Sequence, residues 1–172
     1  MNIQQLGKKS IKLDWDKGEY PVIFRDFAGK GDMWTQPGKP TFCLSLLEDQ
    51  LELFKSLGYA NMKELKKRDP DDPDEMLHYR LKVKVLINGM YPPEVYYIKK
   101  GVKTPLDAES IGILDKAIIE EGEMCIVVSP WEYGQTKGVN LILSSATFVV
   151  GDRNFAGKYD NIPMFNEEEP MF

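Results

Sequence analysis

Histidine and cysteine are nearly absent. The 172 residues hold one His, His78, and two Cys, Cys43 and Cys125. No CxxC or Cys/His ligand spacing can be built from them, which excludes a structural zinc site. A Ser-His-Asp triad would have to use His78, at the start of a strand-like run beside an acidic loop. GxSxG, Walker-type glycine loops and HExxH are all missing, so no catalytic constellation stands out and no cofactor is implied. The carboxylates of Asp69, Asp71, Asp72, Asp74 and Glu75 lack the glycine pivot of a calcium loop. Asp14, Asp26 and Asp115 are too scattered for two-metal nuclease chemistry. Apolar runs are short and interrupted, so no membrane span is expected. The start of the chain, M-N-I-Q-Q-L-G-K-K, has no apolar core of a secretory signal. Two free thiols in a reducing cytoplasm are the expectation.

Charge is present but uneven. The net charge is −5. Of the 27 acids, four lie in residues 160–172, which hold no Lys or Arg, and five lie in 69–75. The remainder has 18 acids against 22 bases. A mildly basic body thus carries two acidic excursions, and affinity for phosphate depends on a local stripe rather than on the total.

Period-2 alternation dominates the body. Strands are expected at 11–15, 20–27 and 41–46, with a Gly/Pro-punctuated loop at 28–40. A helix is expected at 48–57, where Leu51, Phe54 and Leu57 share a face and Gly58 caps the end. The stretch 69–75 reads as an exposed loop. The clearest strand runs from His78 to Ile87. Tyr79, Leu81, Val83, Val85 and Ile87 take one face, and Arg80, Lys82 and Lys84 the other. Asn88-Gly89 signals a tight turn, with 94–99 as the expected hairpin partner. A short helix around 107–119, a buried strand at 123–129, a loop at 131–138 and a closing strand at 139–150 complete the pattern. Five to seven strands with short helices predict a mainly β fold, an elaborated OB-type Greek-key barrel, with a β-sandwich as the alternative. One domain at 1–159 and a disordered acidic tail at 160–172 are the expected division.

Sequence-tolerant capture of a single-stranded nucleic acid needs cations for the phosphates and aromatic faces for the bases. Arg80, Lys82 and Lys84 would stand about 7 Å apart along one strand face. Tyr96, Tyr97, Lys99 and Lys100 follow on the next predicted strand, where one of the two tyrosines must point away from the core. The Gly/Pro loop sets Trp34 between Lys30 and Lys39, and Trp131 and Tyr133 lie near Lys137. The phosphate candidates are Arg25, Lys30, Arg80, Lys82, Lys84, Lys99 and Lys100. The stacking candidates are Trp34, Tyr96, Tyr97 and Trp131.

Two resemblances sharpen this reading. The segment D-N-I-P-M-F-N-E-E-E-P-M-F (160–172) resembles the acidic C-terminal tail of bacterial single-stranded DNA-binding proteins, which ends in Pro-x-Phe and docks onto replication and repair partners. The resemblance assigns partner binding to Glu167, Glu168, Glu169, Pro170, Met171 and Phe172. The body, through F-R-D-F-A-G-K-G (24–31), Y-R-L-K-V-K-V (79–85) and the run from Ile126 to Val150, resembles the single-stranded DNA-binding proteins of tailed bacteriophages, an OB-fold family. That resemblance implies a non-enzymatic protein that coats single-stranded DNA during phage replication or recombination in the bacterial cytoplasm. Its partners would be single-stranded DNA and replication or recombination proteins, not a membrane, and self-assembly on DNA stays open. A protein-interaction module and, more remotely, a metal-dependent nuclease are the rival readings.

Overall fold

The computed structural model describes residues 1–31 and 37–151. In chain order the strands are β1 (Asn2–Gln5), β2 (Ser10–Trp15), β3 (Val22–Asp26), β4 (Thr41–Leu47), β5 (Lys63–Glu64), β6 (His78–Lys84), β7 (Glu94–Lys99), β8 (Val102–Leu106), β9 (Ile118–Tyr133) and β10 (Thr136–Gly151). A 3₁₀ turn, Glu48–Leu51, leads into the one-turn helix α1, Glu52–Ser56. Leu51 and Phe54 are buried, and Gly58, at φ +97°, closes the helix by donating its N–H to the Lys55 carbonyl. Among the described residues no helix is long and apolar enough to cross a membrane.

All ten strands belong to one sheet, whose main path runs β1-β2-β9-β10-β6-β4-β3. A sandwich would need two sheets, so that alternative falls. Beyond β1, the path begins on β2 and finishes on β3. These are consecutive in the chain and separated by the turn at 16–21. The order is therefore that of an OB-type barrel whose first strand is split in two, with β1 added outside β2. β10 pairs antiparallel with β9 and parallel with β6, and that parallel pairing closes the path as an OB-type barrel requires. The core joins the two ends of the path. Trp15 and Phe148 lie 6.1 Å apart, Phe148 and Phe27 also 6.1 Å, and Phe27 stacks on Phe42 at 5.2 Å. All but Trp15, at 3%, are fully buried.

Several expectations need correction. β7 is not the hairpin partner of β6. Both run parallel to β10, end to end along the same edge, and the turn at Asn88-Gly89 only begins a jog from one to the other. The partner of β7 is β8, reached through Lys100 and Gly101 at φ +52° and +77°. Pro105 hides β8 in the sequence, and it is tolerated there because β8 is an edge strand. The expected helix at 107–119 shrinks to a 3₁₀ turn, Ile111–Asp115, and Ile118 already belongs to β9. The expected loop at 131–138 is instead the end of a long hairpin, because β9 and β10 stay paired out to Tyr133 and Thr136.

Gly122 marks where β9 lies tightest against the core. A Cβ there would sit 2.8 Å from the Thr147 carbonyl oxygen and 2.9 Å from the Trp15 ring. Gly122→Ala is expected to lose about 1–3 kcal/mol of stability through overpacking, read as a lower urea midpoint. An unchanged midpoint would mean that the strand and ring yield freely.

Candidate nucleic-acid interface

The alternation of β6 sorts its side chains cleanly. Leu81 and Val83 are fully buried, whereas Arg80, Lys82 and Lys84 face outward. Across the β4 pairing, Lys84 stands opposite Thr41, Lys82 opposite Cys43 and Arg80 opposite Ser45. The cations thus border a floor of small uncharged groups. Burial raises the Cys43 thiol pKa, partly opposed by Arg80 and Lys82, so the floor stays neutral. On the other edge of β6, Lys63 pairs across from Arg80. Among the described residues none of Arg80, Lys82, Lys84 or Lys63 takes part in a salt bridge. Four cations gathered on one face repel one another unless an anion joins them.

Two clefts meet on this strip, and both are lined by Lys82 and Lys84. One, of about 370 Å³, lies between β6, the segment 59–63 and β10, with Asn61 and Asn140 on its walls. The other, of about 560 Å³, is bounded by Lys39, Pro40, Leu86 and Asn88. Sharing Lys82 and Lys84, the two clefts lie on either side of the basic strand.

The β9–β10 hairpin brings aromatics to the same outward side. Ile126 and Val128 point inward, so Ser129, Trp131 and Tyr133 point outward with Gly138 and Asn140 across from them. The Trp131 ring lies on Gly138, where an added Cβ would be 2.8 Å from it. Trp131 keeps 38% of its surface exposed and Tyr133 84%. Rings presented to solvent on a rigid hairpin suit base stacking.

Other predicted residues are placed differently. Arg25 is turned onto the protein: its Nη1 donates to the Leu114 and Ala117 carbonyls at 2.7 and 2.6 Å, clamping β3 to the 3₁₀ turn. Burial lowers its pKa, with Asp115 opposing. Tyr97 is not a free stacking face, since it packs against the core. Tyr96 points outward, but Lys103 Nζ already sits 4.4 Å above its ring. Lys99 ends β7 and Lys100 follows it in the turn, and Ile98 pairs with Val149 whereas Lys84 pairs with Ile142. Seven residues of strand, about 23 Å, therefore separate them from the basic strip. Lys30 is exposed just past β3, where Asp26 accepts its backbone N–H. Trp34 and the tail residues Glu167 to Phe172 lie outside the described residues. Lys63, Lys39 and Asn140 were missed, because each reaches the basic strip by strand pairing or loop closure and not by periodicity.

A family model described as "Putative phage ssDNA-binding domain" matches residues 4–170, nearly the whole chain. The chain belongs to this family. Among curated proteins none matches it. Solved structures similar to this phage domain include the single-stranded DNA-binding protein of bacteriophage Enc34 in a C-terminal truncation. That match has 15% identity, covers 90% of this chain and 97% of that one, and has a TM-score of 0.43. The Enc34 protein in complex with ssDNA is 16% identical over 86% of this chain and 89% of that one, with a TM-score of 0.44. The gp2.5 single-stranded DNA-binding protein of bacteriophage T7 is 13% identical over 86% and 96%, with a TM-score of 0.38. These are distant likenesses, and the family assignment rests on the family model.

In this phage domain no group of three His, Cys, Asp or Glu among the described residues could hold a metal. The acidic loop spends carboxylates on its own backbone: Glu75 accepts the N–H groups of Arg68 and Asp69, and Asp69 and Asp72 accept those of Asp71 and Asp74.

Proposed function

We propose that this domain is a non-enzymatic binder that coats single-stranded DNA without sequence preference during phage replication or recombination, in the cytoplasm of the host. The observation that carries the reading is the strip Arg80, Lys82 and Lys84, in no salt bridge among the described residues and bordered by the neutral floor of β4. Its residues repeat at about 7 Å, a rise that suits an extended strand of nucleotides. Phosphates would follow the strip with Lys63 and Lys39. Bases would turn toward Trp131 and Tyr133 on the hairpin, and Trp34 would add a further ring. In an OB-type barrel this is the second and third strand face between its two flanking loops.

The tail completes the proposal. In this reading the acidic residues 160–172 act apart from DNA capture, and Glu167 to Phe172 would recruit a replication or recombination protein. Truncation before Asp160 should leave DNA affinity equal or higher and remove partner capture. A fall in DNA affinity would contradict this role.

Tyr133→Ala is the sharper test of the hairpin, because the ring is open to solvent and its loss should leave the melting temperature unchanged. Affinity for oligo-dT should fall by about 1–3 kcal/mol, read by fluorescence anisotropy. Trp131→Ala should do the same, with some loss of stability because the ring also covers Gly138. Unchanged affinity in both variants would remove the hairpin from the interface.

A further inference from the structure

The first strand of the barrel carries a residue in the wrong conformation for its type. Ile23 pairs with Cys43 and Asp26 with Thr41, so Phe24 and Arg25 together face one residue of β4. This bulge turns Arg25 inward onto its two carbonyls and forces residue 24 to φ +48°. Glycine takes that conformation without strain, whereas a β-carbon crowds the backbone there. Phe24 holds it while leaving 62% of its surface in solvent, so core burial does not offset the strain. Strain kept at an exposed ring is a reason to look for a ligand.

The surroundings supply one. Phe24 borders a cleft of about 960 Å³ that also holds Tyr20, His78, Lys66, Lys67 and Arg68. Tyr20 is 71% exposed. The carboxylates at its rim are engaged, Glu19 by the amino group of Met1 and Glu75 by two backbone N–H groups. Ser45 lines the cleft and is also the cross-strand partner of Arg80, while His78 is two residues before Arg80 on β6. The cleft is thus continuous with the basic strip across one small residue.

We propose that Phe24, with Tyr20 beside it, is a base-stacking platform that extends the single-stranded DNA track over β4 onto β3, with Lys66, Lys67 and Arg68 following the phosphates beyond His78. This rests on the single-stranded DNA reading of the strip. It assigns the strand a path that crosses the barrel face instead of ending at Arg80.

Phe24→Gly isolates the ring from the fold, because glycine relieves the backbone and its melting temperature should be equal or higher. Affinity for oligo-dT should fall roughly 5- to 100-fold, with an unchanged dependence on salt. Lys66→Ala should reduce the salt slope by about 0.7. An oligo-dT carrying 5-iododeoxyuridine should cross-link to Phe24 or Tyr20 on irradiation, located by mass spectrometry of the peptides. If the unaltered protein binds oligo-dT while Phe24→Gly binds equally well and no cross-link falls on 20–24, the platform is overturned and the strip stands. If the unaltered protein does not bind at all, the strip reading falls first and the platform with it. If Phe24→Gly keeps full DNA affinity but loses self-association in ultracentrifugation, the cleft belongs to a second copy of the chain, which also overturns the proposal.

Discussion

Replacing Arg80, Lys82 and Lys84 together by alanine is expected to remove most of the affinity for single-stranded DNA. Hydrogen bonds to charged groups contribute about 1.5–3 kcal/mol each when both partners are in place. Three losses therefore amount to at least about a thousandfold at low salt. The dependence on salt should also flatten, because each phosphate contact to a single strand contributes about 0.7 to the slope of log affinity against log salt. Three fewer contacts lower it by about 2. The fold should survive, since these side chains face outward while Leu81 and Val83 hold the strand in the core. Lys12→Ala is the matched control. Lys12 lies on β2, where it pairs with Glu123 at 3.8 Å, and its loss should leave both affinity and slope nearly unchanged. If the triple variant kept its slope, phosphates would be bound elsewhere.

The second large effect concerns stability. Phe148→Ala should cost about 3–5 kcal/mol, a large share of the roughly 5–15 kcal/mol that holds a domain folded. Phe148 sits on β10, fully buried, with Trp15 of β2 and Phe27, just past β3, each 6.1 Å away. It ties together the two halves of the split first strand, which share no backbone ladder. A drop of roughly 6–20 °C in the thermal midpoint is expected for a chain of this size. A drop of only a degree or two would mean that neighbouring side chains refill the space and that the seam is held by other contacts.

The strands that carry the basic strip were legible because they alternate. From Tyr79 to Val85 every second residue is apolar and every intervening one cationic, and a half-buried strand sorts such a pattern by face. β2 and β4 were legible for the same reason. The pairing of β7 was not, since periodicity fixes which face a residue takes but not which strand lies beside it. β8 was masked by Pro105, and β5, two residues long, leaves no period to detect. Arg25 shows the limit of reading charge as a site. A guanidinium in a loop-bordering strand looks free in the sequence, but a bulge one residue earlier turns it inward. Phe24 is the converse case. Alternation assigns aromatics in strands to the core, and only the backbone angle and the exposed ring reveal otherwise.

One outward face, β4 with β6 and the end of the β9–β10 hairpin, is proposed to hold single-stranded DNA. Amide chemical-shift mapping of the ¹⁵N-labelled protein during titration with oligo-dT tests it most directly. The largest changes are expected at 41–45, 78–84 and 129–140, and small ones along β1 and β8. Changes confined to β1, β8 and the far end of β7, or none on adding single-stranded DNA, would contradict it.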